Sequence, residues 1–514
     1  MEQPYDQLIQ VQVPHFVNYC LHGGAIVKYI PFNTRNSDWP GFCNPSIMWD
    51  EQDKEFKMIL RNVNHLMHNS GKVWAREIRL LYSNPDKDNR NLKTQNWLGR
   101  CKDPINEDFE FSLITTTPYE PQWEFQGQED GRILRWKGQL LSTGVRRDDN
   151  TVGRGRMEVM FLDKDDEGDG YHQSFSAKVP APGDDSTYCE KNWMPIQDQP
   201  YRYVRTSNPT QVISVRTMGE TKVIIDKPKQ ELGELDKFDM IRGSSQVIPY
   251  KDGYIALVHT CELWLTANER KVARYLHAFI MWDKFFNIVK VSPTFNFAGW
   301  DVEFSCGMEH HDGNFYIPFA LNDNVPFFMV VPDNVMDRFM EGDELAPEMY
   351  KTPFSFWPSG CEMLNPAADL HSLRTSAIDN YKDKCYAKSY AIFTKAFEMY
   401  DQFEDLFMMG RSVADLGGRN EHERSLWYKC IEMFPDRPEG YLALAGYYNW
   451  RGMHSEAMYW ADQALGKISV YNGPLVYYNR NAFLVMYNNT RWNTKDFMKT
   501  THYLSGQHAN KRLF

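Results

Sequence analysis

Over the first two thirds of the chain, apolar and polar positions alternate in short runs. In the last third the apolar spacing lengthens to three or four residues. From Val11 to about Val331 one unit recurs: a small or polar corner, a short apolar run, a charged turn, then a second apolar run. Asn44-Pro45-Ser46-Ile47-Met48-Trp49 leads through an acidic turn into Phe56 to Arg61, and Asp130-Gly131-Arg132-Ile133-Leu134 turns at Lys137-Gly138 into Gln139 to Val145. A shorter member begins at Lys191-Asn192-Trp193. Gly243-Ser244-Ser245 turns at Lys251-Asp252-Gly253 into Tyr254 to His259, and Cys306-Gly307 turns at Asp312-Gly313 into Phe315 to Phe319. Period-two runs joined by Asp-Gly or Lys-Gly read as β-hairpins. The corners fall at 44, 130, 191, 244 and 306. They stand roughly 50–90 residues apart, a spacing that predicts one sheet per unit and a five-bladed β-propeller over 11–335.

Pro347, Pro353, Pro358 and Pro366 then interrupt any long element. Residues 336–380 read as a connector packed on the propeller, since Phe354, Phe356 and Trp357 need burial. Over 381–514 the pattern is helical. Tyr441, Leu444, Ala445, Tyr448, Gly452, Ala457, Ala464 and Leu465 fit a pair of antiparallel helices with small residues where they touch. Units starting at Glu404 and Pro438, with Gly418 at a turn and Pro435 at an end, repeat at the period of about 34 residues of tetratricopeptide arrays. Flanking helices are expected from Lys382 and as far as about His502. The fold class is mostly β, then α. Asn84 to Asn91, Asp148 to Gly155, Leu162 to Gly170 and Pro180 to Ser186 read as loops.

A net charge of -11 argues against a broad basic surface, so a nucleic-acid acceptor is disfavoured, while a local cationic site remains compatible. Nine cysteines without a CxxC pair read as reduced thiols in a cytoplasmic protein. Met1 to Pro14 carries no secretory pattern, and no apolar run nears the roughly 20 residues needed to span a bilayer, so no membrane association is expected.

Glu129-Asp130-Gly131-Arg132 sets two carboxylates and a guanidinium within four residues at a strand start. Asp130 is either the catalytic acid or base, or a turn residue whose carboxylate caps its own backbone. The cations beside the corners are Arg61, Arg132, Arg146, Arg147, Arg156 and Lys191; adjacent Arg146 and Arg147 must face opposite sides of a strand. For the same reason His310 and His311 point apart, and no metal site is expected. Glu190 and Glu303 are reserve carboxylates with surface roles expected. Trp193, Trp264 and Trp300 are sugar platforms or core residues.

Taken together, the corners over residues 40 to 330 resemble the five-bladed propeller enzymes acting on β-mannosides, a group of inverting glycoside phosphorylases, hydrolases and sugar-nucleotide-dependent mannosyltransferases. Glu129-Asp130-Gly131-Arg132 is similar to the family's Glu-Asp-Pro-Arg corner, whose Asp is the catalytic acid, with Gly131 standing for Pro. Asn44 resembles the first-blade corner and Arg61 the sugar- or phosphate-facing Arg, while Cys43 replaces another Arg. Lys191 and Asn192 resemble the third corner, His259 the active-site His, and Asp323 after Asn322 the Asp that grips a sugar hydroxyl.

The resemblance implies an inverting carbohydrate-active enzyme. Its first form is a glycosyltransferase taking a sugar from a sugar nucleotide or sugar phosphate to an acceptor hydroxyl. A phosphorylase or hydrolase of β-linked oligosaccharides is the second. A non-catalytic glycan- or protein-binding propeller with a repeat scaffold is the rival from another class. No cofactor beyond the co-substrate is implied. The helical part is expected to bind a protein partner or self-associate.

Overall fold

The structure, a computed structural model, describes residues 13–30, 41–63, 92–117, 125–147, 154–166, 170–183, 189–217, 220–237, 241–265, 271–298, 302–321, 323, 325–342, 370–382, 384, 386–416, 421–471 and 475. Expectations for Asn84 to Asn91, for Phe354, Phe356 and Trp357, and for helix as far as His502 lie outside these residues. Among the described residues, no helix is long and apolar enough to cross a membrane.

A short helix α1 (Phe16–His22) and strand β1 (Ile26–Tyr29) come first. Five antiparallel groups follow. Group one is β2 (Gly41–Asp50), β3 (Glu55–Val63), β4 (Leu92–Cys101) and β5 (Glu110–Thr115), with β6 (Phe125–Gln126) pairing parallel to β4. Group two is β7 (Glu129–Trp136), β8 (Gln139–Arg146), β9 (Arg156–Lys164) and β10 (Tyr171–Val179). Group three is β11 (Met194–Pro195), β12 (Arg202–Thr206), β13 (Gln211–Thr217) and β14 (Glu220–Asp226). Group four is β15 (Arg242–Gly243), β16 (Ile248–Tyr250), β17 (Gly253–Leu265), β18 (Lys271–Asp283) and β19 (Ile288–Val291). Group five is β20 (Glu303–Phe304), β21 (Glu309–His311), β22 (Asn314–Leu321) and β23 (Val325–Pro332). A short parallel pairing of β5 with β10 joins groups one and two into one nine-stranded sheet.

Each group packs on the next through its alternating apolar residues. Ile59, Leu98, Ile133 and Met160 fill the space between groups one and two. Leu134, Trp136, Trp193 and Tyr203 do so between two and three, and Val204, Val212, Val258 and Trp282 between three and four. Leu257, Phe279, Ile317 and Met329 lie between four and five, and Ile47, Met58, Tyr316 and Phe328 bring group five back against group one. The arrangement is propeller-like. The N-terminal β1 pairs antiparallel with β23, so the start of the chain completes the sheet formed last.

The inner strands are also wired directly to one another. Gln246, fully enclosed, donates from Nε2 to Ser46 Oγ (3.2 Å), the Ile47 carbonyl (3.1 Å) and the Ile133 carbonyl (2.7 Å), and its Oε1 accepts from Met308 N–H (3.1 Å). One carboxamide thus binds groups one, two, four and five. Ser46 Oγ also accepts from Ile133 N–H at 3.1 Å.

Helix α2 (Asp333–Glu341) runs across the expected 335/336 boundary, and α3 (Leu370–Lys382) starts inside the expected connector. Then come α4 (Tyr386–Tyr400), α5 (Phe403–Asp415), α6 (Glu421–Met433), α7 (Pro438–Trp450) and α8 (His454–Val470). Alternate helices begin at intervals near the expected period, and Gly410 lets Trp427 close in: a Cβ there would lie 2.4 Å from the indole. The helices are not a separate body. Phe16, Phe339, Phe279 and Phe319 share one continuous core with Tyr390, Phe393, Phe407 and Trp427.

Replacing Gln246 by Ala strands a set of buried partners at once and is expected to cost about 3 kcal/mol, read by denaturant unfolding. A second expectation concerns Glu309, buried with three N–H donors (Trp49 at 3.0 Å, His310 at 3.0 Å, Gln197 Nε2 at 2.7 Å) and, among the described residues, no paired cation. Burial pushes its carboxyl up from 4.5 to about 7. The folded protein therefore holds this proton more tightly than the unfolded chain does. The stabilisation is complete below pH 4.5 and fades as pH rises through about 7. Relative to Glu309→Gln, wild type should lose about 3 kcal/mol between those limits, measured as the pH dependence of the difference in unfolding free energy.

Candidate active site

In each group the first strand starts at one end of the ring and the second strand returns to it. The corners of the first strands and the ends of the second strands therefore meet around one opening. Strand β7 shows how the sequence arranges this. Its pairing with β8 skips from Glu129↔Val145 to Arg132↔Thr143, which leaves Asp130 and Gly131 as a bulge. Strand β2 does the same: Cys43 pairs with Arg61 and Ser46 with Ile59, so Asn44 and Pro45 bulge. Bulges re-aim side chains, and these two turn Asn44 and Asp130 towards each other. Both residues have left-handed backbones, φ 48° and 53°, as do Asn192 (64°) and Asp323 (48°). Gly131 is closely covered: a Cβ there would sit 2.5 Å from Ser142 Oγ, so a larger residue requires that side chain to move.

Asp130, buried, accepts on Oδ1 from Asn44 Nδ2 (2.8 Å) and Arg61 Nη1 (2.9 Å). Oδ2 has no hydrogen bond among the described residues. Burial alone would raise this carboxyl, but Arg61, Lys191, Arg132 and the Asn44 hydrogen bond hold it below the usual aspartate range, so it is ionised at neutral pH. Arg61 also faces Glu129, with Nη2 3.7 Å from Oε2, and donates to Thr94 Oγ1 at 3.2 Å. Asp323 belongs to the same charge cluster with the opposite outcome. Burial, then repulsion from Asp130 and Glu129, outweighs Arg61 and Lys191 and lifts its carboxyl from 3.8 to about 6. Asp130 and Asp323 cannot both ionise freely in one buried cluster, and Asp323 is the one that yields.

Arg132, 1% exposed, donates from Nη1 to the Asp130 carbonyl (2.7 Å) and from Nε to the Ser244 carbonyl (2.8 Å), which leaves Nη2 buried without a partner among the described residues. His259 lies against Ser244, Nδ1 to Oγ 2.8 Å. Burial, then His277, Arg242, Lys191 and Arg132, keep its imidazole neutral. Asn192 is buried at its own corner with Oδ1 unpartnered among the described residues.

Of the residues expected from sequence, Asn44, Arg61, Asp130, Arg132, Lys191, His259 and Asp323 thus act on one another, and Asn192 adjoins Lys191. The other three cations have different partners among the described residues. Arg146 approaches Glu158 at 3.4 Å, while Glu158 also accepts from Gln128 at 3.0 Å. Arg156 donates to the Gly155 carbonyl at 2.7 Å. Arg147 lies over the Phe125 ring at 5.0 Å, near Cys189 at 3.7 Å, so the two adjacent arginines diverge as strand alternation requires.

Glu190 and Glu303 are not surface groups. Glu190 clamps Arg205 and accepts from Trp193 Nε1 at 3.0 Å, and Glu303 accepts from the backbone N–H of Phe297 and Ala298 (2.5 and 2.9 Å). Both are buried, and these donors answer their carboxylates. Trp193 is a core residue. His310 bonds Asp333 and His311 stacks on Trp49, pointing apart. Trp300, Asn322 and the side chain of Trp264 lie outside the described residues. Sequence reasoning passed over Ser244, Arg242, Tyr275 and Cys306, whose charges or hydrogen bonds act on the same cluster. Ser244 and Cys306 stood in recognised corners; Tyr275 carried no signal.

Removing the arginine should be far costlier than shortening it. Arg61→Ala leaves Asp130 and Glu129 without their shared cation and is expected to cost about 3–5 kcal/mol, with Arg61→Lys recovering part of it in denaturant unfolding.

No protein-family model matches the chain, and no curated protein matches it. Among solved structures it is similar to a β-1,2-mannobiose phosphorylase from Listeria innocua, at 13% identity over 64% of this chain and 99% of that one, TM-score 0.39. It is similar to a mannose phosphorylase from Leishmania mexicana in complex with a phosphate ion, at 12% identity over 62% and 92%, TM-score 0.35. It is also similar to a GDP-Man-dependent mannosyltransferase from Leishmania mexicana, at 14% identity over 60% and 90%, TM-score 0.33.

Proposed function

We propose that the chain is an inverting glycosyltransferase, built on a five-bladed β-propeller with a tetratricopeptide-like helical domain, that moves a sugar from an activated donor to an acceptor hydroxyl. The observation that carries this reading is the ionised Asp130, fixed through Oδ1 by Asn44 and Arg61 with Oδ2 left over. A carboxylate held in that state is a base. It takes the proton of the acceptor hydroxyl as that oxygen bonds to the anomeric carbon, and the bond to the leaving phosphate oxygen breaks on the opposite face with its electron pair. Arg132, Lys191 and His259 face the same opening and supply donors to the oxygen that gains charge. Arg146, Arg147 and Arg156, set apart beside group two, suit the more distant part of a donor. No cofactor beyond this co-substrate enters the reaction. The helical domain is assigned a protein partner or a second copy.

A phosphorylase or hydrolase reading is favoured by one observation of its own. Asp323, raised to about 6, carries a proton close to neutrality and could protonate a departing glycosidic oxygen. Ligand stabilisation separates the two readings: sugar nucleotides raising the melting temperature, with inorganic phosphate inert, supports transfer, and the reverse supports phosphorolysis. Asp130→Asn is expected to keep the fold by circular dichroism, with a lower melting temperature from the lost charge pair with Arg61, and to lose at least about 100-fold in turnover. Unchanged turnover would retire Asp130 as the base and leave a binding propeller as the better reading.

A further inference from the structure

We infer that Ser244 is a positioning residue that fixes His259 as the Nε2–H tautomer, within the buried polar cluster that holds Arg132 and Asp130. Ser244 is fully enclosed, and its hydroxyl makes one described contact, the 2.8 Å bond to His259 Nδ1. If Nδ1–H were the donor, the hydroxyl hydrogen would be buried without an acceptor, at a cost of about 1–3 kcal/mol. The favoured arrangement therefore has the hydroxyl donating to Nδ1. The imidazole is neutral chiefly because it is buried, and His277, Arg242, Lys191 and Arg132 beside it act in the same direction. Its single hydrogen then sits on Nε2. The ring is held in that plane by Tyr275, stacked at 5.7 Å, and Phe304, edge-on at 4.8 Å.

The same serine fixes a second donor. Its carbonyl accepts from Arg132 Nε at 2.8 Å, and the Asp130 carbonyl accepts from Nη1, which leaves the buried Nη2 as a hydrogen-bond donor with no acceptor among the described residues. A neutral imidazole N–H and an unpaired guanidinium N–H suit a phosphoryl oxygen or an oxygen gaining negative charge. They offer nothing to a group that must donate. The role in group transfer rests on the proposed function above; the tautomer does not.

Long-range ¹⁵N–¹H correlation spectra of histidine-labelled full-length protein test this without substrate, with His259→Gln assigning the signal. Wild type is expected to show the Nε2–H pattern at pH 6–8 with no titration, and Ser244→Ala, at an unchanged fold by circular dichroism, a mixture of tautomers. An Nδ1–H pattern in wild type, or an unchanged pattern in Ser244→Ala, overturns the assignment. If Ser244→Ala does not fold, the wild-type spectrum decides instead: an unprotonated-type Nδ1 shift beside a protonated-type Nε2 shift supports the assignment, and the reverse overturns it. A correct tautomer with no product from any donor and acceptor would sink the transferase reading alone.

Discussion

The inner strands must stay in contact for anything at their ends to converge, and a buried glutamine keeps them there. Gln246 is a side chain of group four whose carboxamide reaches backbone and hydroxyl partners in groups one, two and five. Apolar packing between neighbouring groups sets their spacing but is tolerant of sliding, because dispersion has no direction. A hydrogen bond to a particular carbonyl fixes register. Strand β7 carries both effects: Ile133 is pinned by Gln246 and Ser46, and Asp130 and Arg132 project just beyond it. A further bond between groups lies past the pin, where Arg135 grips Asp50 at 2.9 and 2.6 Å and Lys57 completes the buried trio. The position of Asp130 is thus inherited from contacts below it rather than from its own loop.

Above that floor, electrostatics decides the state of each group. Arg61 is the only cation bonded to the Asp130 carboxylate among the described residues, and it is shared with Glu129 while Asp323 sits in the same field. Sharing that field separates the proton affinities of Asp130 and Asp323. Asp130 is left charged and Asp323 partly protonated. Two carboxyl groups of opposite tendency therefore stand in one cluster without any change of fold.

Much of this was legible in sequence because the strand ends are marked by turn chemistry. Lys137-Gly138, Lys251-Asp252-Gly253 and Asp312-Gly313 announced the hairpins, and the corners before them announced Asn44, Asp130, Asn192 and the Ser244 segment. The pairing of β1 with β23 was not legible, since a four-residue strand at the chain start carries no mark of a partner three hundred residues away. The burial of Glu190 and Glu303 was also hidden: acidic residues ordinarily face water, and the donors that answer these two are brought to them only by the fold. Arg146, Arg147 and Arg156 looked equivalent to Arg61 because alternation says which side of a strand a residue takes, not what stands there. Glu158 already stood beside Arg146.

The bland explanation of Asp130, a turn residue chosen for its backbone, can be weighed within this one chain. Left-handed residues occur at both ends of the ring. At the far end the hairpins turn on Lys54, Lys137, Tyr201, Lys251, Phe286 and Asp312, with φ between 47° and 62°, and all but the buried Phe286 have exposed or half-buried side chains. Lysine and tyrosine serve there, so the conformation itself does not demand Asn or Asp. At the opening all four left-handed residues, Asn44, Asp130, Asn192 and Asp323, are Asn or Asp, and three of them are buried. Burying a carboxylate or carboxamide is costly unless something answers its polarity, and Asn44 Oδ1 and Asn192 Oδ1 have no partner among the described residues. The left-handed backbone is common to both ends, so it does not by itself account for an acid or amide at each of these four positions.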